Sequence, residues 1–202
     1  MLDIIVKGGL MMLPIMLASI VSMALVIERI LFWRRQKGAH NAIEIIREAE
    51  ACRFERALSI CDANASHVTR VLKAGILRRT NGAALAMEAE AIGEVREMGR
   101  YLPALDTIIT LAPLLGLLGT IAGMISSFGI IAEAGLSKPL AVTGGISEAL
   151  IATAAGIVVA VVTLIPHNFF QSRAEKATAE IERYATRLEM ALALSREQAG
   201  RQ

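Results

Sequence analysis

Residues 107–132 read TIITLAPLLGLLGTIAGMISSFGIIA and contain no Asp, Glu, Lys or Arg. An α-helix needs about 20 apolar residues to cross the hydrocarbon core of a bilayer, so this stretch predicts a membrane span. Two more stretches are free of these charged residues: residues 8–27, GGLMMLPIMLASIVSMALVI, and residues 149–172, ALIATAAGIVVAVVTLIPHNFFQS. The sequence therefore predicts three transmembrane helices.

The positive charges are placed unevenly around these spans. The 202-residue chain is 54% hydrophobic and 20% charged, with a net charge of +2. Most Lys and Arg lie in residues 34–100 and 173–201, whereas the other sides of the spans hold only Lys7 and Lys138. Because cytoplasmic segments are enriched in Lys and Arg, the N-terminus is predicted to be outside. A cleaved signal peptide is the alternative for the first stretch, but strong positive charge follows that stretch instead of preceding it.

These patterns predict an all-α polytopic membrane protein with three transmembrane helices, an external N-terminus and cytoplasmic helical extensions. The expected segments are an external N-terminus at 1–9, transmembrane helix 1 at 10–33, a cytoplasmic helical domain at 34–103, transmembrane helix 2 at 104–132, an external loop at 133–146, transmembrane helix 3 at 147–170 and a cytoplasmic helical tail at 171–202.

The two cytoplasmic segments are expected to be helical and to pack. Turn residues in DANAS (62–66) and RRTNG (78–82) predict breaks between short helices. The helix before the second span is expected to run on from the cytoplasm into the membrane. In the tail, apolar residues recur every three or four positions and form one stripe: Ala174, Ala177, Ile181, Tyr184, Leu188 and Leu192.

Ordinary catalytic or ligand-binding signatures do not occur. No nucleotide loop, metal cluster or catalytic triad is recognisable, so we expect no enzyme activity, cofactor, metal ion or nucleic-acid partner. Cys52 and Cys61 lie in the segment assigned to the reducing cytoplasm, which argues against a disulfide. His40 and His67 are isolated and expected to be exposed. Glu28 and Arg29 are expected to reach the membrane interface with their long side chains.

Small residues form a face on each of the last two spans. Gly116, Gly119 and Gly123 are spaced by three and four residues on the second span, and Gly156 lies on the small-residue face of the third. Small residues let membrane helices approach closely, so these glycines are expected to pack helices together.

Three polar residues on these spans have alternative interpretations. The hydroxyls of Thr120 and Thr153 either bond carbonyls of their own helices, as membrane threonines often do, or line a polar pathway. Glu148 is either a favourable carboxylate at a helix start or a functional group at the external mouth of the third span.

The motifs APLLGLLGT (112–120) and EALIATAAG (148–156) resemble the second and third membrane helices of the MotA/TolQ/ExbB proton-channel family, and GGLMMLPIMLASIVSMALVIER (8–29) is similar to its first. Three spans with an external N-terminus favour the ExbB/TolQ branch, a layout that related gliding and secretion motors share. In place of the Val-Trp that often follows the threonine of span two, this chain has Ile121 and Ala122.

The resemblance implies a multi-pass protein of the bacterial inner membrane that forms a homo-oligomer, a pentamer, surrounded by lipid. This oligomer would enclose an ExbD/TolR-like single-span partner that carries a proton-binding Asp. Thr120 and Thr153 would line the surface facing that Asp, and Glu148 would lie at the external side. The assembly would couple proton-motive force to work on the cell envelope.

Two other functions fit parts of the pattern. A structural membrane scaffold without ion conduction would use the glycines only for packing and the threonines only for backbone hydrogen bonds. A small-solute transporter is disfavoured because three spans are too few for an internal repeat.

Overall fold

The structure, a computed structural model, describes residues 9–36, 41–134 and 139–199. These residues are almost entirely helical and contain no β-strand. The helices are α1 (Met12–Arg35), α2 (Ala42–Glu50), α3 (Phe54–Ala63), α4 (His67–Leu77), α5 (Ala83–Met98), α6 (Leu102–Ala134) and α7 (Pro139–Ala199). The all-α prediction is therefore confirmed.

Three stretches of helix are long and apolar enough to cross a bilayer, and they lie in α1, in α6 and in α7. This confirms the three predicted spans. The helix α7 begins at Pro139, so residues 139–146 are helical although the sequence assigned them to a loop. The side of the membrane on which each segment lies stays a prediction. Prolines lie inside both of the last two long helices, Pro113 in α6 and Pro166 in α7.

The chain divides into two compact units. The first, here called the membrane unit, consists of the described residues within Met1–Arg29 and Tyr101–Phe170, and the second, the polar unit, consists of those within Ile30–Arg100 and Gln171–Gln202.

The membrane unit exposes large aliphatic side chains. Leu114, Ile125 and Ile165 are more than half exposed, whereas small residues such as Ala112, Ala149 and Ala152 are buried. A water-soluble domain of this size would rarely leave so much contiguous apolar surface uncovered. This arrangement is typical of a bundle whose outer surface meets lipid or other membrane helices.

The polar unit has a core of large apolar side chains, as water-soluble proteins do. Ile45, Leu72, Ile76, Ile181 and Leu188 are all at most 2% exposed. The predicted tail stripe is confirmed, because its residues on α7 are buried or half-buried: Ala174, Ala177, Ile181, Tyr184, Leu188 and Leu192.

Both predicted breaks in the polar unit are present, and each has a local cause. Ser66 starts α4 with a capping box, in which the Thr69 amide donates to Ser66 Oγ at 3.2 Å and the Ser66 amide donates to Thr69 Oγ1 at 2.7 Å. These bonds satisfy amides that a helix start leaves free. Gly82, at φ +81°, precedes α5 in a left-handed conformation that suits glycine.

A third break was not expected. α5 ends at Met98 and α6 begins at Leu102, so the expected continuous helix into the second span is wrong. Pro103 has no amide hydrogen to donate to the carbonyl of Gly99, four residues earlier. Tyr101 takes a left-handed conformation, φ +67°, immediately before α6 starts.

The titratable residues of the polar unit correct one expectation. His67 is only 5% exposed, so the expectation of a solvated histidine is wrong, and His40 lies outside the described residues. Cys52 is exposed and Cys61 buried, and both are free thiols, as predicted. Burial raises the pKa of Cys61 to about 11, so this thiol stays protonated at neutral pH.

Candidate functional site

A seam without large side chains joins α6 and α7 in the membrane unit. A methyl group built on Gly116 would lie 2.9 Å from Thr153 Cα and 3.0 Å from the Ala152 carbonyl oxygen. One built on Gly156 would overlap the carbonyl oxygen of Ala112. The two backbones therefore touch, and neither glycine position has room for a side chain.

The seam continues toward the start of α7. Methyl groups on Gly119 and Gly123 would each lie 2.8 Å from a methyl carbon of α7, that of Ala152 and of Ala149 respectively. Since Gly116 meets Thr153 and Gly123 meets Ala149, the two helices run antiparallel. The four glycines that the sequence assigned to helix packing therefore all lie at this close approach.

The Thr153 hydroxyl crosses the seam. It donates a hydrogen bond to the carbonyl oxygen of Gly116 at 2.8 Å. Thr163, ten residues further along α7, instead donates to the Val159 carbonyl oxygen of its own helix. Thr153 thus departs from the usual behaviour of membrane threonines and ties α7 to α6 while remaining half-buried.

Thr120 lies at the edge of the seam and follows the local pattern. Its hydroxyl donates to the Leu117 carbonyl oxygen of its own helix at 2.6 Å, and the side chain is partly exposed. A hydroxyl oxygen has two lone pairs in addition to its one hydrogen, so Thr120 can still accept a hydrogen bond from another molecule.

Glu148 is exposed and lies one residue before the buried Ala149. Its carboxylate packs against Gly9, because a methyl group on Gly9 would overlap it. Gly9 has φ +67°, a conformation that favours glycine and allows this close contact.

The three polar residues are ordered along the helices. With a rise of 1.5 Å per residue, Thr120 lies about 6 Å along α6 from Gly116, and Glu148 about 7.5 Å along α7 from Thr153. Because the helices are antiparallel, both displacements point the same way. Thr120 and Glu148 therefore lie on one side of the Thr153–Gly116 bond, toward the end of the unit that the charge pattern assigns to the outside.

The environment of Arg29 could not be predicted from the sequence. It is fully buried, donates to both carboxylate oxygens of Glu28 at 2.6 and 2.9 Å, and lies 5.4 Å from the centre of the Tyr101 ring. The expectation that Arg29 extends to the interface is wrong. Its position one turn before Trp33 gave no sign of the tyrosine, which comes from a distant part of the chain.

No group of three His, Cys, Asp or Glu that could hold a metal ion occurs in the described ranges. The full sequence also lacks Asp, Glu, Lys and Arg in the central part of each span. The membrane unit therefore offers hydroxyl and backbone oxygens, with one carboxylate near the end of the seam, and no titratable acid midway across.

Comparison with known proteins identifies the family. The model of the MotA/TolQ/ExbB proton channel family matches residues 63–183, which include α4, α5, α6 and the whole membrane part of α7. The chain belongs to the MotA/TolQ/ExbB family. The resemblance inferred from the two motifs is thereby confirmed, and membership places the chain in a family of proton channels.

Individual relatives of this MotA/TolQ/ExbB protein belong to the ExbB/TolQ branch. It is 32% identical over 192 residues to the protein named biopolymer transport protein ExbB-like 3 of Synechocystis sp., covering 91% of this chain and 90% of that protein. It is 37% identical to the Tol-Pal system protein TolQ of Pseudomonas aeruginosa, over 46% of this chain and 41% of TolQ. It is 41% identical to the biopolymer transport protein ExbB of Salmonella typhimurium, over 48% of this chain and 38% of ExbB.

Proposed function

We propose that this protein is the proton-channel subunit of a motor in the bacterial inner membrane. The motor would couple proton-motive force to work on the cell envelope, through an ExbD/TolR-like partner with one membrane span and a proton-carrying Asp. The observation that carries the proposal is the hydroxyl of Thr153, which is fixed by Gly116 at a glycine seam in a chain of the MotA/TolQ/ExbB family.

The composition of the spans is the reason for proposing that the partner supplies the proton-carrying Asp. Proton transfer across a hydrocarbon core uses titratable groups within it. The central parts of the three spans contain no Asp, Glu, Lys or Arg, so this chain alone lacks such a group. A partner helix that brings one Asp would complete the pathway.

Thr120 and Thr153 could accept a hydrogen bond from the partner's Asp when that Asp is protonated. The single hydroxyl hydrogens of Thr120 and Thr153 are already donated to the Leu117 and Gly116 carbonyls, so toward the partner's Asp their oxygens could act only as acceptors. A protonated carboxyl group has a hydrogen to donate, whereas a carboxylate has none. The two threonines would therefore stabilise the protonated Asp in the membrane, and Glu148 would exchange its proton with the external water.

The path would lie outside the seam. Since the α6–α7 seam has no room for a methyl group at its glycines, we place the proton path outside this seam. A channel would need to be enclosed by several copies. This supports a homo-oligomer, and the family resemblance gives a pentamer as the expected number.

The scaffold alternative also has a supporting observation. Both threonine hydroxyls already make hydrogen bonds that stabilise helices, Thr120 within α6 and Thr153 between α6 and α7. A scaffold would need nothing more from them.

Proton flux into liposomes distinguishes the two functions. The chain would be reconstituted with the ExbD/TolR-type protein of the same genome, and a potassium diffusion potential would drive protons toward an internal pH-sensitive dye. We expect Thr120→Val to lower the flux by about tenfold or more, since it removes one acceptor for the partner's Asp. Thr120→Ser, which keeps the hydroxyl, should retain most of the flux.

Thr163→Val is the matched control, because Thr163 is buried and bonds only its own helix among the contacts described above. Thr153→Val should also lower the flux, and the size of the purified complex would be measured to detect a loosened seam. Equal flux in all four variants and the unaltered protein, with complexes intact, would reject the channel role and leave the scaffold.

A further inference from the structure

The polar unit contains a small pocket built by three segments that are distant in the sequence. Its volume is about 190 Å³, and its lining includes Trp33 near the end of α1 and Gln36 just after it, His67 at the start of α4, and Arg173, Lys176 and Glu180 on α7. Sites for drug-sized ligands usually exceed about 300 Å³, so this pocket suits a single small group.

Two side chains of the pocket hold buried nitrogen atoms without partners. Within the described residues, Trp33 Nε1 and both ring nitrogens of His67 make no hydrogen bond. Trp33 is 4% exposed and His67 5%. Buried N–H groups are nearly always paired in folded proteins, so unpaired ones in a pocket wall indicate donors kept for a ligand.

The charges of the pocket favour an anion. Arg173 and Lys176 contribute two positive charges against the one negative charge of Glu180. The Arg173 guanidinium lies 5.0 Å from the centre of the Trp33 ring, a cation–π contact that holds it at the pocket. His67 is the first residue of α4, so the positive end of that helix dipole is adjacent.

We propose that this pocket binds a phosphate group, supplied by an anionic phospholipid headgroup or by free inorganic phosphate. Arginine and lysine bind phosphate through charge-assisted hydrogen bonds, and the Trp33 indole adds a neutral donor. Arg173 directly follows the third charge-free stretch of the sequence, and Trp33 lies six residues after the end of the first, near the level where headgroups are expected. The inference does not depend on proton conduction.

His67 can take part without being charged. Burial lowers the pKa of His67; the Glu180 and Glu94 carboxylates oppose this effect, and the Arg70 and Arg173 guanidinium groups add to it. A neutral imidazole still has one N–H to donate. Positive charge would therefore come from Arg173 and Lys176, and His67 would contribute a hydrogen bond.

The pocket carries its own reporter, because Trp33 is the only tryptophan in the chain. The full-length protein would be placed in nanodiscs, and its fluorescence would be excited where tyrosine does not absorb. In the first arm, inorganic phosphate is titrated into nanodiscs of phosphatidylcholine, with sodium chloride at equal ionic strength as the baseline. In the second arm, phosphatidylcholine nanodiscs are compared with nanodiscs containing increasing phosphatidylglycerol.

A saturable change of Trp33 emission in the first arm would support binding of free phosphate, and a change in the second arm alone would support a lipid headgroup. In the responding arm, Lys176→Gln should weaken binding by about tenfold. Arg187→Gln removes the same charge from the same helix outside the pocket and should bind normally. Because Lys176 is exposed, its replacement spares the core, which circular dichroism would verify.

Two results would overturn the proposal. One is an unchanged Trp33 spectrum in both arms. The other is an equal loss of response in Lys176→Gln and Arg187→Gln, which would mean that only the general positive charge of the tail is involved.

Discussion

The membrane unit and the polar unit are both helical, but the α6–α7 contact of the first is made by glycine and alanine, whereas large aliphatic side chains fill the core of the second. In the membrane unit, Gly116 and Gly156 bring two backbones into contact, while Leu114 is 60% exposed. In the polar unit, large residues such as Leu188 and Ile181 are fully buried. One chain thus contains two kinds of helix contact, and the membrane unit adds the buried side chains of Ile15 and Leu105 to its glycine contacts.

The difference follows from the solvent that each unit is built for. Water drives large apolar side chains together, because burying them removes apolar surface from water. Lipid gives no such drive, so membrane helices depend on close approach and on hydrogen bonds such as that from Thr153 to Gly116. Substitutions of the same kind should therefore have different effects in the two units.

The largest effect is expected from Leu188→Ala. Leu188 is fully buried, so its truncation should lower the free energy of unfolding by about 2–5 kcal/mol. Leu114→Ala in the membrane unit should change it by less than about 0.5 kcal/mol. Denaturant unfolding in detergent, followed by circular dichroism, would measure both. Similar losses for the two variants would contradict the comparison.

The next effect is expected from Gly156→Ala, which adds one methyl group against the Ala112 carbonyl. Overpacking should destabilise the membrane unit by about 1–3 kcal/mol. Gly129→Ala is the control, since a methyl group there has no neighbour within 4 Å among the described residues. Thermal unfolding of both variants in the same detergent is the measurement. A Gly156→Ala protein as stable as the control would mean that the backbones do not touch.

An effect of opposite sign is expected in the polar unit. Gly93 lies inside α5, and a methyl group there would meet nothing within 4 Å of it in the described structure. Gly93→Ala should stabilise the protein by up to about 1 kcal/mol, because alanine favours the helix more than glycine does. The same unfolding experiment would detect it. Destabilisation by Gly93→Ala would reveal a neighbour on this face of α5.

The smallest effect is expected from the titration of His67. Burial lowers the pKa of His67 in the folded protein, so the unfolded chain binds a proton first as the pH falls. The stability linked to neutral His67 is complete above the ordinary histidine pKa, about 6.5, and decreases as the pH falls through that value toward the lower folded value. His67→Gln should flatten this slope in melts from about pH 7.5 to 5, and an unchanged slope would assign it to other groups.

Much of this architecture could be predicted from the sequence, because charge and periodicity act locally. The three spans appear as stretches without charged residues, and the break before α4 appears as turn residues ending in the cap Ser66. The buried tail stripe through Ile181 and Leu188 follows from helical spacing alone. The four seam glycines were likewise recognisable by their spacing.

What the sequence could not predict depends on contacts between distant segments. The acceptor of the Thr153 hydroxyl is the Gly116 carbonyl, 37 residues away, and only the crossing of α6 and α7 brings them together. Arg29 is buried against Tyr101 from a different part of the chain, and His67 is buried in a wall made with Trp33 and α7. Local patterns carry no information about such pairs.

Pro113 and Pro166 each create a point at which α6 or α7 can bend. Because proline has no amide hydrogen, the carbonyls of Ile109 and Val162, four residues earlier, receive no donation at that step of the helix ladder. Each helix can bend at this step without losing a hydrogen bond. Each of these two helices is therefore expected to bend most easily at its own proline, and the two bending points lie at different depths along the antiparallel pair.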